Sequence, residues 1–161
     1  MNLSLRGDVE QTILKNDIKS FKQLISIPGA YFDPTNFKSV WLLTMAMDHH
    51  NLDLAECMLD FDSSLVYSTW ATSKPMVFTE RLDQVKLLIR YGADYEGFIG
   101  QGEITALSHA ISSGREEIVE FLVREAGVSI DENAKYQLEK LADSFVKSRI
   151  KEIITRAEIL I

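Results

Sequence analysis

Histidines, cysteine and carboxylates are the residues of this chain that could do chemistry, and they gather at one place. Asp48, His49, His50 and Asp53 form its one cluster of metal-ligand types, with Cys57 a turn further on. On a helix, neighbouring histidines point about 100° apart, whereas helical ligand pairs sit at i and i+4. His50 also falls where two helices meet, so a metal-dependent enzyme using His49 and His50 is the lesser alternative. Ser108 and His109 fail as a nucleophile and base, because residues i and i+1 of a helix do not face each other. Cys57 falls on an apolar helical face and reads as an inert buried thiol. Gly97, Gly100 and Gly102 are spaced like a phosphate loop but lack the following Gly-Lys-Ser/Thr, and they do not open a dinucleotide fold. No constellation carries a reaction. The expectation is a protein without enzyme activity and without cofactors.

The elements that would position these residues are short helices in pairs. Between Gly102 and Asp131, Thr105 can cap a helix whose Leu107, Ala110 and Ile111 share one face. Gly114 stands where a helix end needs a left-handed residue. Glu116 and Glu117 open a second helix striped by Ile118, Val119, Leu122 and Val123. Two helices this short cannot bury both stripes between themselves, so copies of the unit must stack on either side.

This stretch resembles an ankyrin repeat. Thr105-Ala106-Leu107-Ser108-His109-Ala110 stands where that family has Thr-Pro-Leu-His-x-Ala, with Ala for Pro and Ser for His. Leu87-Leu88-Ile89-Arg90-Tyr91-Gly92-Ala93-Asp94 is similar to the end of a preceding repeat. Stepping back from Val119 and Leu122 in offsets of 34, 30 and 34 gives Val85 and Leu88, Ala55 and Met58, then Phe21 and Leu24. Thr12, Ser20 and Gln84 fit the pattern poorly.

The expected fold is all-α: an ankyrin-like solenoid of about four helix pairs and a C-terminal capping pair. The units run about 1–29, 30–62, 63–95, 96–131 and 132–161, in a single domain. Helices are expected near Leu5–Lys15, Ile18–Ile25, Trp41–Asp48 and Leu52–Leu59, with a long loop over 30–39. Pro75 forces the first helix of the third unit to start late and end near Thr79, and Arg81–Tyr91 follows it. The last unit lacks glycine and has Lys135, Lys140, Lys147, Arg149, Lys151 and Arg156 for a polar outer face.

What the resemblance implies for function is protein binding through a concave side. By position, the ends of the first helices contribute Leu14, Lys15, Asp48, His49, Phe78, Thr79, Ser112 and Ser113. The finger tips contribute Tyr31, Phe32, Trp70, Phe98 and Ile99. Short degenerate members also resemble bacterial immunity proteins, so an inhibitor that neutralises a toxin is one expectation, and an adaptor or secreted effector module the alternative.

Composition narrows the partner. The chain has 161 residues, 46% of them hydrophobic, enough for a core. Its net charge of −7 argues against nucleic acid and anionic lipid. From Ser39 to Ser73 there is no Lys or Arg, while Asp48, Asp53, Glu56, Asp60 and Asp62 are acidic. That points to a protein partner with a basic surface. No apolar run is long enough for a membrane span, and no signal peptide pattern opens the chain. One cysteine allows no internal disulfide and fits a reducing, cytoplasmic setting. A monomer is expected.

Overall fold

The computed structural model describes residues 3–27, 37–49, 52–69 and 73–159. Among these residues it is all-helical, with nine α-helices. They are α1 (Leu3–Leu14), α2 (Ile18–Ile25), α3 (Phe37–Asp48), α4 (Leu52–Phe61), α5 (Leu82–Arg90), α6 (Ala106–Ser112), α7 (Glu116–Arg124), α8 (Glu132–Lys140) and α9 (Phe145–Ile159). Two 3₁₀ turns, Ser63–Tyr67 and Pro75–Phe78, complete the order. The finger tips at Tyr31, Phe32 and Trp70, and His50, lie outside the described residues.

Helices adjacent in the chain pack as pairs: α1 on α2, α3 on α4, α6 on α7, and α8 on α9. The pairs then stack in two columns. The inner column runs α1, α3, the 75–78 turn, α6 and α8; the outer column runs α2, α4, α5, α7 and α9. Phe21, Met47, Met58, Leu88, Ile111, Val119, Leu122 and Ile150 are all but inaccessible, so one core runs through the stack. This is the packing of an ankyrin-like helical repeat.

The same backbone device closes three helices. Asp17 N donates to Thr12 O, Ala93 N to Leu88 O and Arg115 N to Ala110 O, each at 2.9 Å. The residues before these donors, Asn16 (φ 55°), Gly92 (φ 88°) and Gly114 (φ 66°), are left-handed. Such an ending satisfies carbonyls that have no partner within the helix. The starts are capped by side chains: Asp17 accepts from Ser20 N at 3.0 Å, and Asp131 from Ala134 N at 2.6 Å. Thr105 accepts from Ser108 N at 3.2 Å, while Ser108 Oγ accepts from Thr105 N at 3.0 Å. This is the reciprocal arrangement of a capping box, with Ser at the position usually held by Glu or Gln.

The third unit departs from its neighbours as Pro75 requires. Its inner element is the four-residue turn Pro75–Phe78, with proline at the first position and Thr79 Oγ1 closing it on Met76 O at 2.8 Å. The left-handed link is missing too, and Glu80 stands in its place. Gln84, a poor fit to the apolar pattern, does the joining instead. It is 1% exposed. Its Oε1 accepts from Glu80 N at 2.6 Å and Arg81 N at 3.0 Å, and its Nε2 donates to Met47 O at 3.1 Å. One amide therefore caps α5 and ties it to the end of α3. Thr12 is likewise buried, with its hydroxyl on Val9 O at 2.7 Å.

Two expectations need correction. Residues 37–39 belong to α3 rather than to a loop. The cap's outer face is not uniformly polar: Phe145 is 78% and Ile159 77% exposed among its charges.

Gln84→Ala is expected to cost about 1–3 kcal/mol in urea unfolding, since buried backbone groups of two helices lose their partner. A loss below about 0.5 kcal/mol would show that this amide does not join the units.

Candidate functional site

The finger at Asp94–Thr105 is built by the backbone. Asp94 Oδ1 accepts from Gly97 N at 2.8 Å and Glu96 N at 3.2 Å. These N–H bonds, Gly97 first, hold the carboxyl below the usual carboxylate range, helped by Lys74 at 3.5 Å. Ile99 N then donates to Ile104 O, and Ile99 O accepts from Lys74 N, both at 2.7 Å. Phe98 bridges Thr105 in antiparallel sense. The chain turns back through two left-handed residues, Gly102 (φ 71°) and Glu103 (φ 60°). Asn133 Nδ2 ties the Glu103 carbonyl to the next unit at 2.7 Å. The finger is thus held by the units on both sides.

That pairing decides which side chains are presented. Successive residues of an extended strand face opposite sides. Phe98 is 56% exposed, whereas Ile99 is completely buried. The expectation that Ile99 is a contact residue at the tip is therefore overturned. Ile99 anchors the finger, and Phe98 is what it shows.

The ends of the inner column share one edge of the stack. Asp48 and His49 are exposed at the end of α3, Ser112 and Ser113 at the end of α6, and Lys15 and Leu14 at the end of α1. Phe78 is half-buried at the end of its turn, and Thr79 is buried. The Ser112 hydroxyl donates to His109 O at 2.9 Å, leaving its oxygen outward.

The acidic stretch is partly spent within the molecule. Glu56 pairs with Arg90 of α5 at 2.5 Å. Asp60 accepts the Tyr91 hydroxyl, which pushes that phenol up to about 12. Asp62 accepts from Ser64 N at 3.0 Å, capping the 63–67 turn. These contacts join the second unit to the third or close a turn, and they come from the outer column and its connection. Asp48, at the end of α3, is the acid of this stretch that stands with the inner-column edge.

The candidate chemical groups are placed as follows. Cys57 is buried on α4, and burial pushes its thiol up. His49 is exposed, with its backbone N–H on Met45 O at 3.1 Å. Among the described residues, no group of three or more His, Cys, Asp or Glu is placed to hold a metal ion. No described helix is long and apolar enough to cross a membrane. His109 is half-buried on α6, where burial, then the Arg115 charge, pulls its imidazole below the ordinary value. Glu103 is a position the pattern did not single out, and Gln84 stood out only as a poor fit. Glutamate gives no sign of a left-handed residue, and a glutamine on an apolar stripe reads as decay of the repeat.

Residues 103–132 match the family model of the ankyrin repeat. Comparison with curated proteins gives no match, and neither does comparison with solved structures.

Cys57 is expected to ignore an aromatic disulfide reagent in the folded protein and to react fully in denaturant. Stoichiometric reaction within seconds under native conditions would place the thiol at the surface.

Proposed function

We propose that this chain, whose residues 103–132 are an ankyrin repeat set in a stack of similarly packed helix pairs, acts by binding another protein through its fingers and inner-column edge. Ankyrin repeats are interaction modules, and that much comes with the family. The finer reading is ours. Phe98 is its anchor, with Asp48, His49, Phe78 and Ser112 lining the same side. The observation that carries it is the exposure of Phe98 on a hairpin held from both sides. A large aromatic on a preordered element adds contact area at little cost in side-chain entropy.

Net charge supports a basic partner. The chain carries −7, and a field of that sign speeds encounter with a positive surface. Because Glu56, Asp60 and Asp62 are already engaged, charge here acts on the rate of approach more than on the contact itself. Within this reading the role is inhibition: a small acidic chain covers the working surface of a basic partner, as an immunity protein covers a toxin. An adaptor would leave that surface open.

A partner recovered by affinity capture allows the test by binding kinetics. Phe98→Ala is expected to speed dissociation and cost about 2 kcal/mol or more, as for an anchor residue. Asp48→Lys is expected to slow association and flatten its salt dependence, with dissociation little changed. Wild-type kinetics in both variants would move the contact to another face. Loss of the partner's activity at one-to-one stoichiometry separates inhibitor from adaptor.

A further inference from the structure

The last step of the outer column carries a cleft that the binding reading does not use. α7 closes at Arg124, where Glu125 N and Ala126 N both donate to Phe121 O, at 2.9 and 3.0 Å. Gly127 (φ 70°) then reverses the chain, and Val128 N returns to Leu122 O at 2.9 Å. Residues 127–130 thereby form a wall beside the last turns of α9, which packs on α7. The cleft between them opens to solvent and measures about 750 Å³. Val123, Val128 and Ala157 are its buried floor, and half-buried Ile130 and exposed Ile159 its apolar rim. Among the described residues no further helix pair follows to cover it.

The charged residues of the lining are Arg124 and Arg156, and no carboxylate belongs to it. In a chain with 24 acidic and 17 basic residues, that is a local reversal of sign. Each guanidinium spends one nitrogen within its own helix: Arg124 Nη1 lies 2.5 Å from Glu120, and Arg156 Nη2 2.6 Å from Glu152. Glu152 is itself shared with Arg149 at 3.3 Å. The other guanidinium nitrogens of Arg124 and Arg156 have no partner among the described residues. The acids nearby are committed: Glu125 to Lys86, Glu158 to Lys135, and Asp131 to the cap of α8.

We propose that this cleft binds a long-chain alkyl carboxylate, its chain on the apolar floor and its carboxylate on the Arg124 and Arg156 guanidiniums. The volume falls within the roughly 300–1,000 Å³ of small-molecule sites. A guanidinium presents donors in a fork that matches a carboxylate, and apolar walls beside it strengthen the pair by excluding water. The side-chain polar groups of the lining are two cations and the Ser129 hydroxyl, so an occupant rich in N–H donors, as a peptide is, meets few acceptor side chains there. The overall charge of −7 opposes an anionic membrane surface. Its field is screened beyond about 8–10 Å at physiological salt, so a direct ion pair at the cleft outweighs it.

Displacement of dansyl-labelled undecanoate from the full chain tests the site. Dodecanoate is expected to displace the probe at one-to-one stoichiometry. Octanoate is expected to bind roughly tenfold or more weakly, because four methylenes leave the apolar floor. Dodecanol, with the same chain and no charge, is expected to lose about tenfold or more, the worth of a charged hydrogen bond. The Arg124→Gln/Arg156→Gln double variant is expected to lose as much for dodecanoate. Both side chains are exposed and paired only within their own helices, so this variant keeps its fold, as circular dichroism will check. Lys140→Gln/Lys151→Gln removes the same charge from exposed positions outside the lining and is expected to bind like the wild type. Absence of saturable binding, equal affinity for dodecanol, or an equal loss in the lysine variant would each overturn the proposal. So would a peptide with an apolar C-terminus that displaces the probe more tightly than dodecanoate, or self-association that expels it, since either gives the cleft to a protein chain.

Discussion

A helix of seven to fifteen residues with one apolar stripe cannot keep that stripe dry without a neighbour, and every described element here obeys that constraint. The outer helices each rest on the next, and the inner ones do the same, so a fault at one step is felt mainly at the two joins beside it. The third step shows how such a fault is absorbed. Proline shortens the inner helix to a turn, and polar groups take over the joining: the buried Gln84 amide across to Met47 and, at the surface, the Tyr67 hydroxyl on Gly92 O at 2.5 Å. Buried polar links hold well while satisfied and fail sharply when one partner changes state.

The same logic governs the surface. Carboxylates that look unopposed along the chain meet their partners one unit later, because the repeat places residues about 34 apart side by side. Glu56 and Arg90 are 34 apart in sequence, and Asp60 and Tyr91 are 31 apart. Such exposed pairs add little stability, roughly 0–1 kcal/mol. They lie on the outer column, away from the fingers and the inner-column edge. What remains for recognition is the ordered finger and its aromatic, with the overall negative field acting at longer range.

Much of the fold is legible in the sequence because the repeat leaves local marks. Asn16, Gly92 and Gly114 announce helix ends through their conformational freedom, Thr105 a helix start, and Pro75 a shortened unit; all five stand in those roles. The positions that read as decay are the ones that needed tertiary information. Gln84 and Thr12 look wrong on an apolar stripe until their buried hydrogen bonds are seen. Ile99 and Phe98 are alike in hydrophobicity, and only the pairing of the finger decides which is hidden. His109 shares a turn with the core residues Ala110 and Ile111, and its direction depends on the neighbouring unit. Of the expected binding set, Tyr31, Phe32 and Trp70 fall outside the described residues, so the finger at Phe98 carries the argument for all of them.

The central claim is that the finger face meets the partner. Photo-crosslinking addresses it most directly, with a benzophenone side chain placed once at Phe98 and once at Lys151, an exposed position on the outer helix α9. The account predicts a covalent adduct with the partner from position 98 and none from position 151. Crosslinking from 151 with silence at 98 would contradict it.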